Sequence, residues 1–256
     1  STEIARTARH NYVGGGFVIG WNCEWWCKIH LRLRGAYVYF KESQAPDGTP
    51  LPNPGSDGWD VTQQVFFNFD LRQQAFGVRW GPYLQLTGET TIPGLDDYDY
   101  SDALLRAYYS WLLFGSHQLE LRTNLQIGRN LPVHEELLTG GVLDLRGYAL
   151  DQFRGDLRAT FRAEYSFPLF KVSALRFRGI AFYDNGYNGF HFPRTDGKRD
   201  YLPTQTKGSS WFRSDVGAGL RMYVGWVVVP VLGLDIARGL EGKGTQLVFE
   251  VGFTDF

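Results

Sequence analysis

The sequence predicts an all-β fold: an antiparallel transmembrane β-barrel of about 12 strands. Three observations predict it. Polarity alternates with period two along nearly the whole chain, setting an apolar face against a face rich in arginine and carboxylate. Side chains leave a strand on alternate sides, so that period means strands. Connections alternate between short and long, which is the asymmetry of outer-membrane barrels. Aromatic residues, 16% of the chain, gather near the ends of the alternating runs. A soluble sandwich would need a second sheet to cover each apolar face, and its polar faces would not need so many charges.

Composition narrows the class. The chain has 256 residues, a net charge of -1 and a mean hydropathy of -0.26. That charge exerts no general pull on nucleic acid or acidic lipid. The longest apolar runs, such as VGWVVVPVLGL, fall far short of the ~20 residues a spanning helix needs. Barrel strands escape this test because only one face is apolar. No linker interrupts the pattern, so residues 1–256 are expected to form a single barrel domain. A signal peptide is not visible, but a mature exported chain would have lost one.

Residues 1–10 fit a short strand of weak pattern, and 12–21 a clearer one. From Trp21 to Tyr39 the odd positions are almost wholly apolar. The even positions include Glu24, Lys28, His30, Arg32 and Arg34. Read as one strand, Trp25 to Tyr37 covers about 40 Å, or about 28 Å at a ~45° tilt, matching the ~25 Å apolar band between two aromatic girdles. Cys23 and Cys27 then share one face with Cα atoms about 13 Å apart. A disulfide needs roughly 4.4–6.8 Å. Both are therefore expected to be free thiols facing lipid.

The next runs are VTQQVFFNFDLR, FGVRWGPYLQLTGE, DALLRAYYSWLL, QLELRTNLQIG and GDLRATFRAEYSF. Each sets Val, Leu, Ile or aromatic residues against Arg, Asp, Glu, Gln or Asn. Further strands are expected at about 172–185, 211–224, 227–238 and 244–256. Pro230 lacks an N–H, so it should lie at a bulge or a strand's beginning. Phe256 is out of phase with Phe249, Val251 and Phe253, suggesting a bulge or frayed end. Eleven runs are visible; bacterial barrels of one chain usually have an even number, so twelve is the expected count. The short turns are placed at LRQQ, FGSH, PLFK and VGWV. The long loops are placed at 41–60, 90–101, 129–154 and 186–210.

Residues 139–156, TGGVLDLRGYALDQFRGD, break the alternation. On spacing alone this is a surface turn with a solvated Arg146. The segments GGVLDLRGY, GDLRATFRAEYSFPL, FRGIAFYDNG, SDVGAGLRMYVG and LGLDIARG, in that order over residues 139–256, resemble the C-terminal barrel of the BamA-type family. That family comprises outer-membrane assembly factors and two-partner secretion transporters. The resemblance implies a tip of Leu145, Arg146, Gly147 and Tyr148 folded into the lumen. It also implies acidic wall partners at Asp184 and Glu164.

Strand phase points the same way. Asp156 and Asp184 both face inward, and a hairpin centred on residue 170 would oppose them. Two facing carboxylates need a cation between them, which Arg146 could supply with a bidentate contact. That register pairs Glu164 with Arg176 and puts Glu164 some 30 Å from Asp184. One arginine should then reach Asp184 and not Glu164. A register error of two would instead oppose Arg154 to Asp184.

His10, His30, His117, His134 and His191 are scattered along the sequence. Only His30 lies mid-strand, on the lumen face. No nucleophile–base set, phosphate loop or metal-ligand cluster is apparent, so the chain is not expected to be an enzyme and no cofactor or metal is expected. The resemblance implies a bacterial outer-membrane location, with lipid, lipopolysaccharide and polypeptide clients as partners, and no nucleic acid. The chain is expected to depart from the family in having no periplasmic repeat domains and a shorter barrel, with an accessory protein supplying those domains. Two functions remain open: assembly or translocation of polypeptides through a weakly closed seam, or a pore or structural barrel without that activity.

Overall fold

The computed structural model describes residues 7–45, 47–75, 78–192, 210–224, 230–242 and 244–251. The long strands are β1 (Thr7–Glu24), β2 (Cys27–Gln44), β3 (Gly58–Asp70), β5 (Val78–Thr91), β6 (Ser101–Leu113) and β7 (His117–Arg129). The second half adds β10 (Leu157–Val172), β11 (Leu175–Gly189), β12 (Ser210–Val224), β13 (Leu232–Gly239) and β14 (Thr245–Val251). Each pairs antiparallel with the next in that order, and a short β4 (Gln73–Ala75) folds onto β5, making a 12-stranded sheet. Among the described residues β1 and β14 stand at the two ends of the order.

The strands form because their alternation satisfies two different surroundings. Ile29, Leu31, Val65, Leu86, Leu125, Ile127, Phe161, Val216, Leu234 and Ile236 are exposed on the outside. Asp60, Gln85, Ser110, Thr160, Arg178, Asp184, Asp215, Arg221 and Asp235 are buried inside. A water-soluble protein rarely exposes so continuous an apolar surface. Here it extends around the sheet while the polar groups hydrogen-bond one another within. Trp25, Phe114 and Phe170 are exposed at the short-turn end, and Trp59 is exposed at the other end.

Several sequence expectations change. Residues 21–39 are not one strand. Trp25 and Trp26 form a turn, β1 ends at Glu24, and β2 begins at Cys27. The turn folds Cys27 back opposite Glu24, so Cys23 and Cys27 lie 5.4 Å apart at Cα and form a disulfide rather than two free thiols. Cys27 is buried, not lipid-facing. Residues 7–10 of the weak strand expected at 1–10 and the strand expected at 12–21 form one strand, β1, and residues 1–6 lie outside the described residues. The β10–β11 turn falls at Ser173–Ala174 rather than in PLFK. Pro168 sits beside a register shift, where its missing N–H is tolerated. Pro230 precedes β13, as its chemistry requires. Phe256 lies outside the described residues.

Among the described residues, the β5–β6 and β7–β10 connections meet at one end of the sheet. Val38, Phe40, Tyr98, Tyr100, Leu131 and Leu137 pack there into an apolar plug beneath the loops. The connection from β7 to β10 contains a 3-10 turn, Val133–Glu135, and a small hairpin of β8 (Leu137–Thr139) with β9 (Phe153–Gly155). This hairpin carries residues 140–152 into the interior.

Candidate functional site

The descending tip owes its path to glycine and to the wall it meets. Gly140 and Gly141 have φ of 125° and 85°, a region that favours glycine. A Cβ at Gly140 would come within 2.3 Å of the Ala149 carbonyl oxygen. Asn188 on β11 holds the hairpin's base, donating to the Leu137 carbonyl at 3.0 Å and to Thr139 Oγ1 at 2.6 Å. Arg162 donates to the Val142 carbonyl at 2.8 Å.

At the end of the tip, Arg146 is 1% exposed. Its Nε and Nη2 donate to the two oxygens of Asp184 at 2.8 and 2.9 Å. Its Nη1 donates to Glu164 at 2.9 Å and to Asp235 at 3.3 Å. The guanidinium also lies 3.3 Å from the centroid of the Phe182 ring. Leu145 packs with Tyr148 and Phe153. The Gly147 N–H donates to Asp215 at 3.0 Å. A Cβ at Gly147 would lie 2.6 Å from both Asp215 Cβ and the Gly239 nitrogen, so only glycine lets the tip touch β12 and β13. The Tyr148 hydroxyl donates to Glu241 at 2.8 Å, just beyond β13.

The structure thus brings Leu145, Arg146, Gly147, Tyr148, Asp184 and Glu164 together. Asp156 is elsewhere. Its carboxylate accepts from the backbone N–H groups of His191 and Phe192 at 2.6 and 3.0 Å. The reason is register: Asp184 opposes Arg162, not Asp156, which lies six residues, about 20 Å, along the strand. The same shift overturns the pairing of Glu164 with Arg176 and the expectation that Arg146 cannot reach Glu164. Glu164 is only two residues from Arg162 on the same face, so one guanidinium spans both carboxylates.

Four residues of this cluster were not singled out from sequence. Arg162 donates to Asp184 at 3.1 Å. Arg221 forms a close bidentate pair with Asp235. Asp215 receives the Gly147 N–H. Asp215 and Asp235 stand in SDVGAGLRMYVG and LGLDIARG at inward-facing positions, which was the available signal. On the β7 side, Arg122 opposes Arg162 and Glu120 opposes Glu164. Like charges directly opposite destabilise a sheet unless counter-ions intervene. Arg122 pairs with Glu120 along its own strand, while Arg146 and Asp184 neutralise the β10 pair. Each buried charge therefore depends on the others.

Beside the tip is a cavity of about 630 Å³. Arg72, Arg79, Arg106, Arg122, Arg158, Arg162 and Arg221 line it, with Glu120, Asp144, Glu164 and Glu250 among them. This is a polar, charge-rich interior, and what it does chemically is hold a loop by ion pairs. Nearer the loop end, Asp60, His134 and Glu135 converge into a group of possible metal ligands, although the sequence showed no such cluster.

The profile of the Omp85 superfamily domain matches residues 10–229. Among solved structures, BamA from Haemophilus ducreyi lacking POTRA domains 1-3 is similar, with a TM-score of 0.71 and 14% identity. That match covers 96% of this chain and 55% of the other. CdiB from Escherichia coli is similar with a TM-score of 0.65 and 16% identity, over 95% of this chain and 45% of the other. The chain therefore spans about half the length of these structures, and the likeness is one of fold. No curated protein matches in sequence.

Proposed function

The chain belongs to the Omp85 superfamily, and on that premise we propose that it is an integral outer-membrane barrel that assists insertion or translocation of polypeptides. Its outer apolar belt meets lipid and lipopolysaccharide. Its work is done at the seam between the first and last strands, with the arginine-glycine-tyrosine tip holding the interior wall beside that seam in shape. No bond is made or broken, so the protein is not an enzyme in this reading.

The observation that carries the proposal is β1. Residues 12–25 are exposed on both faces. Tyr12, Val13, Phe17, Val18, Ile19 and Trp21 are each more than half exposed. A strand embedded in a filled barrel would bury alternate residues. β1 instead offers a long apolar ribbon with three consecutive glycines, Gly14 to Gly16, which weaken a strand. Exposed strand edges are templates for an incoming strand.

The test is a panel of cysteine pairs across the seam, one partner in residues 8–16 and one in 245–251, in a Cys23→Ser/Cys27→Ser background. Locking the seam should stop client assembly or secretion in cells that depend on this protein. Undiminished activity of a locked barrel would refute the seam mechanism, and steady ion conductance of that barrel would favour a pore.

A further inference from the structure

The geometry points to a divalent transition-metal site of the zinc type formed by Asp60, His134 and Glu135, which clamps the inward loop to the β3 wall. Asp60 comes from the start of β3, and His134 and Glu135 from the 3-10 turn that begins the loop carrying the arginine tip. One ligand atom from each residue lies within 4.8 Å of the other two.

The imidazole supplies the second, independent observation. The His134 side chain is 4% exposed, and neither ring nitrogen has a hydrogen-bond partner. Burial of a polar group without a partner is costly. Rings of His10, Phe40 and Tyr98 surround it, with centroids 5.9, 6.3 and 4.7 Å away, and none of them hydrogen-bonds its nitrogens; the Tyr98 hydroxyl donates to the Ser56 carbonyl instead. Its Nε2 is aimed at Asp60 Oδ2 at 3.6 Å. That separation is long for a hydrogen bond. It is close to the roughly 3.4 Å that two ligands of one tetrahedral zinc ion keep, given bonds of about 2.0–2.2 Å.

Charge supports the same assignment. Arg34 Nη2 lies 2.8 Å from Asp60, 3.2 Å from Glu135 and 3.6 Å from Glu89. One guanidinium among three carboxylates leaves two negative charges uncompensated within this group. A dication neutralises them. Arg34 can yield ground to it, since its Nε is unpartnered and its side chain is 27% exposed. The Tyr100 hydroxyl donates to Asp60 Oδ1 at 3.1 Å, orienting the carboxylate as an outer partner of a metal ligand does. One imidazole and two carboxylates suit zinc, and also cobalt or nickel, better than calcium or magnesium. Three protein ligands leave a coordination position for water.

The consequence is mechanical. The tip is fixed to β11 and β13 by Arg146, while its root would be fixed to β3 by the ion. Metal binding would stand whether or not the seam handles clients.

The experiment uses full-chain protein without a histidine tag, folded in detergent and freed of metal by chelator. Zinc is titrated by calorimetry, and cobalt by its visible absorption. One equivalent should bind saturably, raise the temperature at which the unheated gel band converts to the heated form, and give the intense visible bands of a four-coordinate cobalt imidazole–carboxylate site. His134→Ala and Glu135→Gln should each weaken zinc binding at least tenfold. Glu135 is partly exposed, so its variant guards against a folding defect in the first, and both are scored only if they keep the folded band. No saturable binding, or binding unchanged in both folded variants, would overturn the site. So would an imidazole that titrates as a simple cation beside Asp60 and takes up no zinc.

Discussion

Arg146 and Asp184 form a bidentate pair in the barrel interior, with Nε–Oδ2 at 2.8 Å and Nη2–Oδ1 at 2.9 Å, and neither side chain is more than 1% exposed. The pair joins residues 38 positions apart and ties a loop tip to the wall. Truncating one partner of such a pair leaves a buried charge uncompensated. Arg146→Ala should therefore cost about 3–5 kcal/mol. Asp184→Asn should cost less, because Arg146 keeps Glu164 and Asp235. The double variant should cost less than the sum. Urea unfolding in detergent, followed by gel mobility, measures all three, and strict additivity would show that the two residues are not coupled.

Gly147 gives a sharper test of tip position. Gly147→Ala places a methyl group against Asp215 and the Gly239 backbone. Displacing the tip should cost about 1–3 kcal/mol. Limited proteolysis should then cut within residues 140–152 at a protease concentration that leaves the parent intact. An equally resistant loop would mean that the tip does not rest on β12 and β13.

The hairpin disulfide predicts a redox pattern opposite to that of two lipid-facing thiols. Purified protein should take up no maleimide until reduced, and two equivalents afterwards. The ring it closes is small, so reduction should cost only about 2 kcal/mol. Mass spectrometry before and after reduction reads the first, and the unfolding midpoint the second. Labelling without reductant would exclude the bond.

The outer belt predicts a cost for charge on one face only. Leu125 is 41% exposed, midway along β7. Leu125→Arg should destabilise the barrel in lipid by roughly 2–4 kcal/mol. Its neighbour Asn124 faces inward and donates to Thr160 at 3.2 Å. Asn124→Ser should be tolerated far better. Folding efficiency into vesicles compares the two, and equal effects would mean that the face assignment is inverted.

Alternation by itself determined the all-β class, the two faces, the approximate strand number and the side on which the long loops lie. These follow from local chemistry, since a side chain's face depends only on its place in its own strand. The motif around Arg146 also marked Asp184 and Glu164 as candidate partners. Register was not legible. A hairpin centre misplaced by three residues moves every cross-strand pair by six, which separated Glu164 from Arg146 on paper and put Asp156 in its place. A turn of two tryptophans was equally hidden, because WW reads as strand in any propensity scale, and so the disulfide was missed. His134 looked isolated because its neighbours Asp60 and Arg34 are distant in sequence. Only closing the loop over the β2–β3 wall placed an imidazole, two carboxylates and a guanidinium within reach of one another. Face is set by period two within one strand, whereas partners are set by turns and loop paths, and those are decided by packing across the whole barrel.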